Sequence, residues 1–190
     1  TAVTAHAQAN LNFYTRTLGM RLVKKTVNQD DVSAYHLFYA DAIGSAGSDL
    51  TFFDWAHIRP ARIGAGTVSE TGLRVLGGEA SLNEWVKWFA QQKVRHGAIE
   101  TVSGRPTLPF QDGDVQHLRL IAETTSATEV HPWHGSPVPL SAAIVGLGAS
   151  LRPEAARHGI RITTVCPGPV DTALLDSPSA TPGADVRRYL

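Results

Sequence analysis

The stretch Leu18-Gly-Met-Arg-Leu-Val-Lys-Lys-Thr-Val-Asn28 decides how the first part of this chain folds. Leu11, Tyr14 and Leu18 recur at the spacing of one helical face, and Gly19 is a residue type that commonly ends helices. Directly afterwards, residues 21–27 alternate between apolar and polar side chains with the period of a strand. The stretch therefore predicts the end of an amphipathic helix, a sharp stop and a strand.

Further strands are predicted on both sides of this stretch. Residues 1–4 precede the helix as the end of a strand, and residues 35–39 and 50–53 follow it as two short apolar runs. Gly44, Gly47 and Ser48 mark a turn between the last two runs. The predicted order is strand, helix, strand, strand, strand, which is a βαβββ unit.

The same order is predicted a second time downstream. Ser81-Leu-Asn-Glu84 has the form of a capping box, which predicts a helix start at Ser81, and Leu82, Trp85 and Phe89 give that helix an apolar face. The predicted strands of this unit are residues 68–75, 98–103, 107–111 and 115–122. We therefore predict an α+β fold with two tandem βαβββ units and curved, largely antiparallel sheets over residues 1–123.

Composition excludes several classes of function. The chain has 17 Lys and Arg and 17 Asp and Glu, so its formal charge is balanced, and the cations form no dense run. This pattern argues against nucleic acid or a membrane surface as a partner. The single cysteine, Cys166, cannot form an internal disulfide and fits a cytoplasmic protein. The chain opens on Thr1 and not on Met, so we expect its natural start to lie upstream.

Several runs resemble ring-cleaving dioxygenases of the hydroquinone type, within the vicinal oxygen chelate superfamily that includes glyoxalase I. The resemblance is carried by Gln8-Ala-Asn-Leu-Asn-Phe-Tyr14, the run from Leu18 to Asn28, Tyr35-His-Leu-Phe-Tyr-Ala-Asp41 and Leu50-Thr-Phe-Phe53. It reaches to about Gly148 and corresponds to the N-terminal half of that family. It implies a glyoxalase-type fold, an aromatic diol as ligand and an Fe(II) or Mn(II) cofactor held by two His and one carboxylate.

The resemblance also implies that the metal ligands are missing from this chain. Thr1 matches the Thr of the family's His-His-x-Thr opening, so both His would lie before it, and Thr1 would stand near the metal without binding it. Arg119 occupies the position on the last strand where many modules of the superfamily offer a metal-binding Glu, and a cation cannot bind a divalent metal. His117 and His36 are the remaining candidate ligands, and we interpret both as packed structural side chains. We therefore expect no metal cofactor in this chain.

The C-terminal part resembles a different family. Residues 143–176, with Ile160-Arg-Ile-Thr-Thr-Val-Cys-Pro-Gly-Pro-Val-Asp-Thr172, look like the C-terminal part of short-chain dehydrogenases, where a helix and a buried strand lead to a Pro-Gly loop at the nicotinamide. Ile144, Leu147 and Leu151 share a helical face, which predicts that helix. The catalytic Tyr and Lys and the Gly-rich dinucleotide loop are absent, so Pro167 and Gly168 are interpreted as vestigial and no dinucleotide binding is expected.

These observations predict an apparent chimera with three parts. Residues 1–123 form the dioxygenase-like domain, residues 124–140 a Pro-rich linker, and residues 141–190 a dehydrogenase-like tail with a loose end. The first functional hypothesis is a fragment of a metal-dependent ring-cleaving dioxygenase that is inactive because its metal ligands are missing. The second is a non-catalytic protein that binds a small aromatic ligand or forms a homodimer. The third is a dehydrogenase remnant. The sequence does not determine the substrate or the oligomeric state. It also does not determine the origin of the junction near residues 143–150, where the two resemblances meet.

Overall fold

The computed structural model describes residues 1–29, 31–44, 48–59, 68–123, 137–138 and 144–147, with only the backbone given for residues 145–147. The first module consists of β1 (Ala2–Thr4), α1 (Ala7–Asn12) with a π-helical continuation over Phe13–Thr17, β2 (Arg21–Val27), β3 (Tyr35–Ala40) and β4 (Leu50–Asp54). Its sheet has the order β1-β4-β3-β2, with β1 parallel to β4 and the other pairs antiparallel. Gly19 has φ +70 and ends the helical segment, as predicted.

The second module repeats this topology. It consists of β5 (Thr71–Val75), α2 (Gly78–Gln92), β6 (Glu100–Val102), β7 (Arg105–Gln111) and β8 (His117–Ala122). The order β5-β8-β7-β6 matches that of the first sheet, and β5 is again parallel to β8. The predicted α+β fold of two tandem βαβββ units is therefore confirmed. A fifth strand, β9 (Ile144–Leu147), lies antiparallel to β5 at the edge of this sheet.

The helix of each module covers one face of its own sheet with apolar side chains. Tyr14 is fully buried, and its ring lies 5.1 Å from Tyr39 and 4.7 Å from Phe52, measured between centroids. In the second module, the buried Phe89 lies 4.8 Å from Phe110 in the same way. Both packing faces belong to one continuous cluster of buried residues.

Hydrogen bonds also join the modules beside this cluster. The Tyr14 hydroxyl donates to Asp112 Oδ2 over 2.9 Å, and Trp88 Nε1 donates to the Thr17 carbonyl oxygen over 2.8 Å. Asp112 lies in the turn between β7 and β8, where its Oδ1 accepts the amides of Asp114 and Gln116. A single carboxylate therefore shapes this turn and holds it against the helical segment of the first module.

The structure corrects the predicted start of α2. The helix begins at Gly78 with Gly77 as its N-cap, one turn earlier than the capping box predicted. Ser81 lies inside the first turn, and its hydroxyl donates to the Gly78 carbonyl oxygen over 2.7 Å. The Ser-x-x-Glu pattern failed because the left-handed conformation of Gly77, with φ +86, lets the chain turn directly into the helix.

The helix predicted through Ile144 and Leu147 is also wrong over residues 144–147, which form β9. The edge of β5 offers unpaired backbone groups, and pairing them with a strand outweighs a weak helical pattern. Ile144 and Val138 are buried in the common core. Residues 124–136, 139–143 and 148–190 lie outside the described part of the chain, so the linker and tail stay predictions. Within the described part, no helix is long and apolar enough to cross a membrane.

Candidate functional site

Each sheet has a second face that its own helix does not cover. We call this face of the first sheet the first open face. The cross-strand register there places Lys24 beside Phe38, Phe38 beside Thr51, and His36 beside Phe53. Residues directly opposite each other on neighbouring strands point to the same side, and alternate residues of one strand share a face. Leu37, Tyr39 and Phe52 alternate with these residues and are buried on the helix side.

The imidazole of His36 contacts two phenyl rings on the first open face. Its centroid lies 4.0 Å from that of Phe38 and 4.1 Å from that of Phe53. Trp55 extends this row, because its ring stacks on Phe53 with centroids 5.4 Å apart. The Nε2 atom of His36 is buried and has no hydrogen-bond partner in the described structure. Burial, together with the charge of Lys24, lowers the pKa of His36.

Two polar groups lie on the same face as this aromatic row. The Nζ atom of Lys24 lies 5.5 Å from the centroid of Phe38, a distance typical of a cation–π contact. Thr51 donates its hydroxyl proton to Oγ1 of Thr1 over 2.8 Å. Lys25 contacts the ring of Tyr35 on the opposite side of the sheet, so the two lysines lie on different faces.

On the second sheet, the equivalent open face is occupied by an ion-pair network around Arg119. The Nε atom of Arg119 donates to Glu70 Oε2 over 2.6 Å. Its Nη1 atom donates to Glu100 Oε1 and to Thr107 Oγ1. Partial burial acts to lower the pKa of the guanidinium, but the bonds to Glu70 and Glu100 outweigh it, so the pKa is raised. Strand β8 thus presents a cation paired with two carboxylates where a metal-binding carboxylate was the family expectation.

His117, the other histidine named by the sequence, lies on the same face as Arg119. One of its ring nitrogens, Nε2, is 2.9 Å from the side-chain amide of Gln111, which satisfies it within the sheet. His36 and His117 therefore lie on different sheets. The structural interpretation fits His117 well, whereas His36 is packed but has an unsatisfied nitrogen.

The described residues do not fit a catalytic metal centre. No group of three or more His, Cys, Asp or Glu side chains in this part of the chain is arranged to hold a metal ion. The two carboxylates nearest the predicted position, Glu70 and Glu100, are neutralised by Arg119. Pro167 and Gly168, predicted as a vestigial cofactor loop, lie outside the described residues.

Sequence reasoning missed the partners that define both open faces. Phe38 and Phe53 were predicted only as strand residues, and Trp55, Glu70 and Glu100 were not singled out. The alternation within residues 35–39 and 50–53 does carry a signal, because it puts His36, Phe38 and Phe53 out of phase with the core residues. The register that brings them together is a property of strand pairing and not of either segment alone.

The chain is similar to proteins of one superfamily along most of its length. A sequence profile of the glyoxalase/bleomycin resistance protein/dioxygenase superfamily matches residues 1–160. MhqA of Bacillus subtilis, a protein named as a ring-cleaving dioxygenase, is 44% identical over 147 residues, which are 77% of this chain and 46% of MhqA. The chlorohydroquinone/hydroquinone 1,2-dioxygenase of Sphingobium indicum is 28% identical over 151 residues and is likewise covered to 46%.

Solved structures support the same relationship. A dioxygenase from Bacillus subtilis superposes with a TM-score of 0.70 at 32% identity, covering 82% of this chain and 50% of that protein. A glyoxalase/bleomycin resistance protein/dioxygenase domain from Frankia superposes with a TM-score of 0.53 at 10% identity, which shows a shared fold alone. The chain spans about half the length of the curated relatives it matches. The profile match over 160 of 190 residues and the repeated βαβββ topology lead to one conclusion: the chain belongs to the glyoxalase/bleomycin resistance protein/dioxygenase superfamily.

Proposed function

We propose that this chain is a two-module half of a ring-cleaving dioxygenase for hydroquinone-type aromatic diols, and that it cannot cleave a ring by itself. The observation that carries the proposal is the 44% identity to MhqA over a segment that makes up 46% of that relative. The similarity to a chlorohydroquinone/hydroquinone dioxygenase supports the same substrate class.

The two open faces support different parts of this proposal. The aromatic row around His36 offers an apolar surface suited to a planar ring. The Arg119 network removes carboxylate donors from the second face, so the described residues supply no set of three metal ligands. We therefore assign aromatic-ligand binding to this chain and assign no step of oxygen chemistry to its described residues.

Fragment complementation tests the proposal. The chain is extended before Thr1 by the residues that precede the matched segment of MhqA, and it is mixed with the part of MhqA that follows that segment. Fe(II) is added without oxygen, and oxygen uptake is then followed with hydroquinone present. We expect uptake by the mixture and none by either part alone above that of free iron. MhqA divided at the same point is the positive control.

Two results of this experiment contradict the proposal. If divided MhqA regains activity and the mixture containing this chain does not, the chain is not a functional half. If this chain with Fe(II) alone cleaves hydroquinone, then the proposed inactivity of the isolated chain is wrong.

A second candidate is a non-catalytic homodimer. The observation in its favour is β2, an edge strand of the first sheet on which Val23 and Val27 are exposed. Exposed edge strands can pair with a second copy, although the neighbouring Lys24 and Lys25 oppose this by charge. Analytical ultracentrifugation of the native chain and of a Val27→Lys variant separates the candidates. A native dimer that becomes a monomer in the variant would indicate pairing through β2.

The dehydrogenase-like tail stays a third proposal. Its predicted span, residues 143–176, overlaps the superfamily match, which extends to residue 160. We expect no saturable NADH binding, because the sequence offers no glycine-rich phosphate loop. Titration of the chain into NADH with fluorescence detection measures this, and saturation in the micromolar range would show that a dinucleotide site exists.

A further inference from the structure

The environment of His36 restricts how this side chain can contact a ligand. Phe38 and Phe53 lie against its imidazole with centroid distances of 4.0 and 4.1 Å and tilts of 38° and 31°. Rings at these distances are in direct contact with the imidazole. Contact with both rings limits the part of the imidazole that a ligand can reach.

One of the imidazole nitrogens lacks a partner. Nε2 of His36 is buried and makes no hydrogen bond in the described structure. A buried polar atom without a partner is destabilising and calls for an explanation such as a bound group. The histidine of the other open face shows that the fold can satisfy such a nitrogen, because Gln111 lies 2.9 Å from Nε2 of His117.

The surroundings of His36 define the chemistry of the missing partner. Phe38, Phe53 and Trp55 form an apolar row that favours a flat aromatic ring over a sugar or a phosphate. Burial disfavours the charged form of His36, and a neutral imidazole has one donor and one acceptor nitrogen. A phenolic hydroxyl can both donate and accept, so it can satisfy Nε2 in either tautomer. The ammonium group of Lys24, 5.5 Å from the Phe38 ring, adds positive potential that favours an oxygen-bearing ring.

We propose that His36 is a ligand-binding residue whose Nε2 atom forms a hydrogen bond with a hydroxyl group of a hydroquinone-type aromatic ring. The substrate class in this statement rests on the proposed function. The assignment of His36 rests on the aromatic contacts and the buried nitrogen. His36 thus selects phenols over aromatic rings that lack a hydroxyl group.

Binding of hydroquinone to the full chain, measured by calorimetry without oxygen, tests this assignment. His36→Phe keeps an aromatic ring beside Phe38 and Phe53 but removes the nitrogen, and His117→Phe is the matched control on the other open face. We expect His36→Phe to weaken hydroquinone binding about tenfold or more and His117→Phe to change it less than about twofold. For 1,4-dimethoxybenzene, which has no hydroxyl group, we expect weak binding that is equal in the native chain and in His36→Phe.

A second measurement does not depend on any variant. The ¹⁵N resonance of His36 Nε2 should shift when hydroquinone is added and should not shift with 1,4-dimethoxybenzene. Two results would overturn the assignment of His36: equal hydroquinone affinity in the native chain and His36→Phe, or an unchanged Nε2 resonance at saturation. Neither result bears on the dioxygenase proposal, which the complementation experiment tests. Absence of any hydroquinone binding by the native chain would also overturn the assignment, and oxygen uptake in the complementation experiment would show that the proposed function survives.

Discussion

Asp112 is a buried residue that makes a polar contact between the two modules. Its side chain is buried, with 8% of its surface exposed, and it accepts hydrogen bonds from the Tyr14 hydroxyl and from the amides of Asp114 and Gln116. Burial raises the pKa of this carboxyl although these hydrogen bonds act to lower it. Burial, together with the charge and hydrogen bond of Asp112, also raises the pKa of Tyr14 well above its ordinary value. Both groups therefore favour their protonated forms more than they would in water.

Tyr14→Phe tests the energy of this contact. The change keeps the ring that packs on Tyr39 and Phe52 but leaves the buried carboxylate short of one donor. We expect the free energy of unfolding to fall by about 1–3 kcal/mol, measured by urea denaturation. Tyr35→Phe is the control, because Tyr35 is 43% exposed and keeps its ring beside Lys25. Equal losses in the two variants would show that the Tyr14 hydroxyl has no special role.

The pH dependence of stability follows from the direction of the Asp112 shift. Because the pKa is higher in the folded state, the stabilisation linked to Asp112 is complete below the ordinary carboxyl pKa and is lost as pH rises through the folded-state value. Asp112→Asn removes this dependence. We therefore expect the variant to gain stability relative to the native chain as pH rises from about 4 to about 7, measured by chemical denaturation.

Asp31 provides a control of opposite sign. Hydrogen bonds from Ser33 lower its pKa, so its contribution is present above the ordinary carboxyl pKa and is lost as pH falls through the folded-state value. Asp31→Asn should therefore lose stability relative to the native chain as pH rises from about 2 to about 4, whereas Asp112→Asn gains it between about 4 and about 7. The same sign of change in both variants would contradict the assignment of these shifts.

At the scale of secondary-structure elements, the start of α2 depends on a backbone conformation more than on a side-chain cap. Gly77 has φ +86, a conformation that residues with a Cβ rarely adopt, and it is the N-cap of the helix. Ser81 and Glu84, which suggested a capping box, lie within the helix. The helix is then fixed by Leu82, Trp85 and Phe89, which are fully buried against the second sheet.

Substitutions at Gly77 and Ser81 distinguish these two accounts. Gly77→Ala should lower the free energy of unfolding by about 1–2 kcal/mol, because alanine is strained in the left-handed region. Ser81→Ala should change it by less than about 0.5 kcal/mol, whereas loss of a true N-cap would cost about 1 kcal/mol. Thermal unfolding followed by circular dichroism measures both. A larger loss at Ser81 than at Gly77 would restore the capping-box interpretation.

At the scale of the whole molecule, β9 leads us to propose that the folded unit extends beyond residue 123. The strand pairs with β5, and Val138 and Ile144 are buried in the core shared by both modules. A chain ending at Glu123 loses these contacts and exposes the edge of β5. We expect it to be less stable than a chain ending at Gly148 by about 3 kcal/mol, the value of burying two aliphatic side chains.

Comparison of the two truncated chains by urea denaturation measures this difference, with the native chain as reference. The chain ending at Gly148 should match the native chain in its main unfolding transition. If the chain ending at Glu123 is equally stable, then the boundary predicted from the sequence is correct and β9 contributes little.

Metal binding by the isolated chain is a second prediction at this scale. A facial set of two His and one carboxylate requires three placed ligands, and the described residues contain no such group. We expect less than stoichiometric Fe(II) or Mn(II) after anaerobic loading and desalting, measured by elemental analysis. The MhqA protein treated in the same way is the control. Stoichiometric metal that survives desalting would show that this chain supplies a complete site.

The sequence by itself determined the two βαβββ units, because strand alternation, helical faces and a helix stop such as Gly19 are local patterns that neighbouring residues specify. It also singled out Arg119, His36 and His117. Only the tertiary structure decided what these residues contact, because strand register pairs segments that are far apart in the chain. That pairing places Phe53 beside His36 and brings Glu100 and Glu70 to Arg119. The tertiary structure also decides that residues 144–147 form a strand, because the open edge of β5 offers backbone hydrogen bonds that no local pattern encodes.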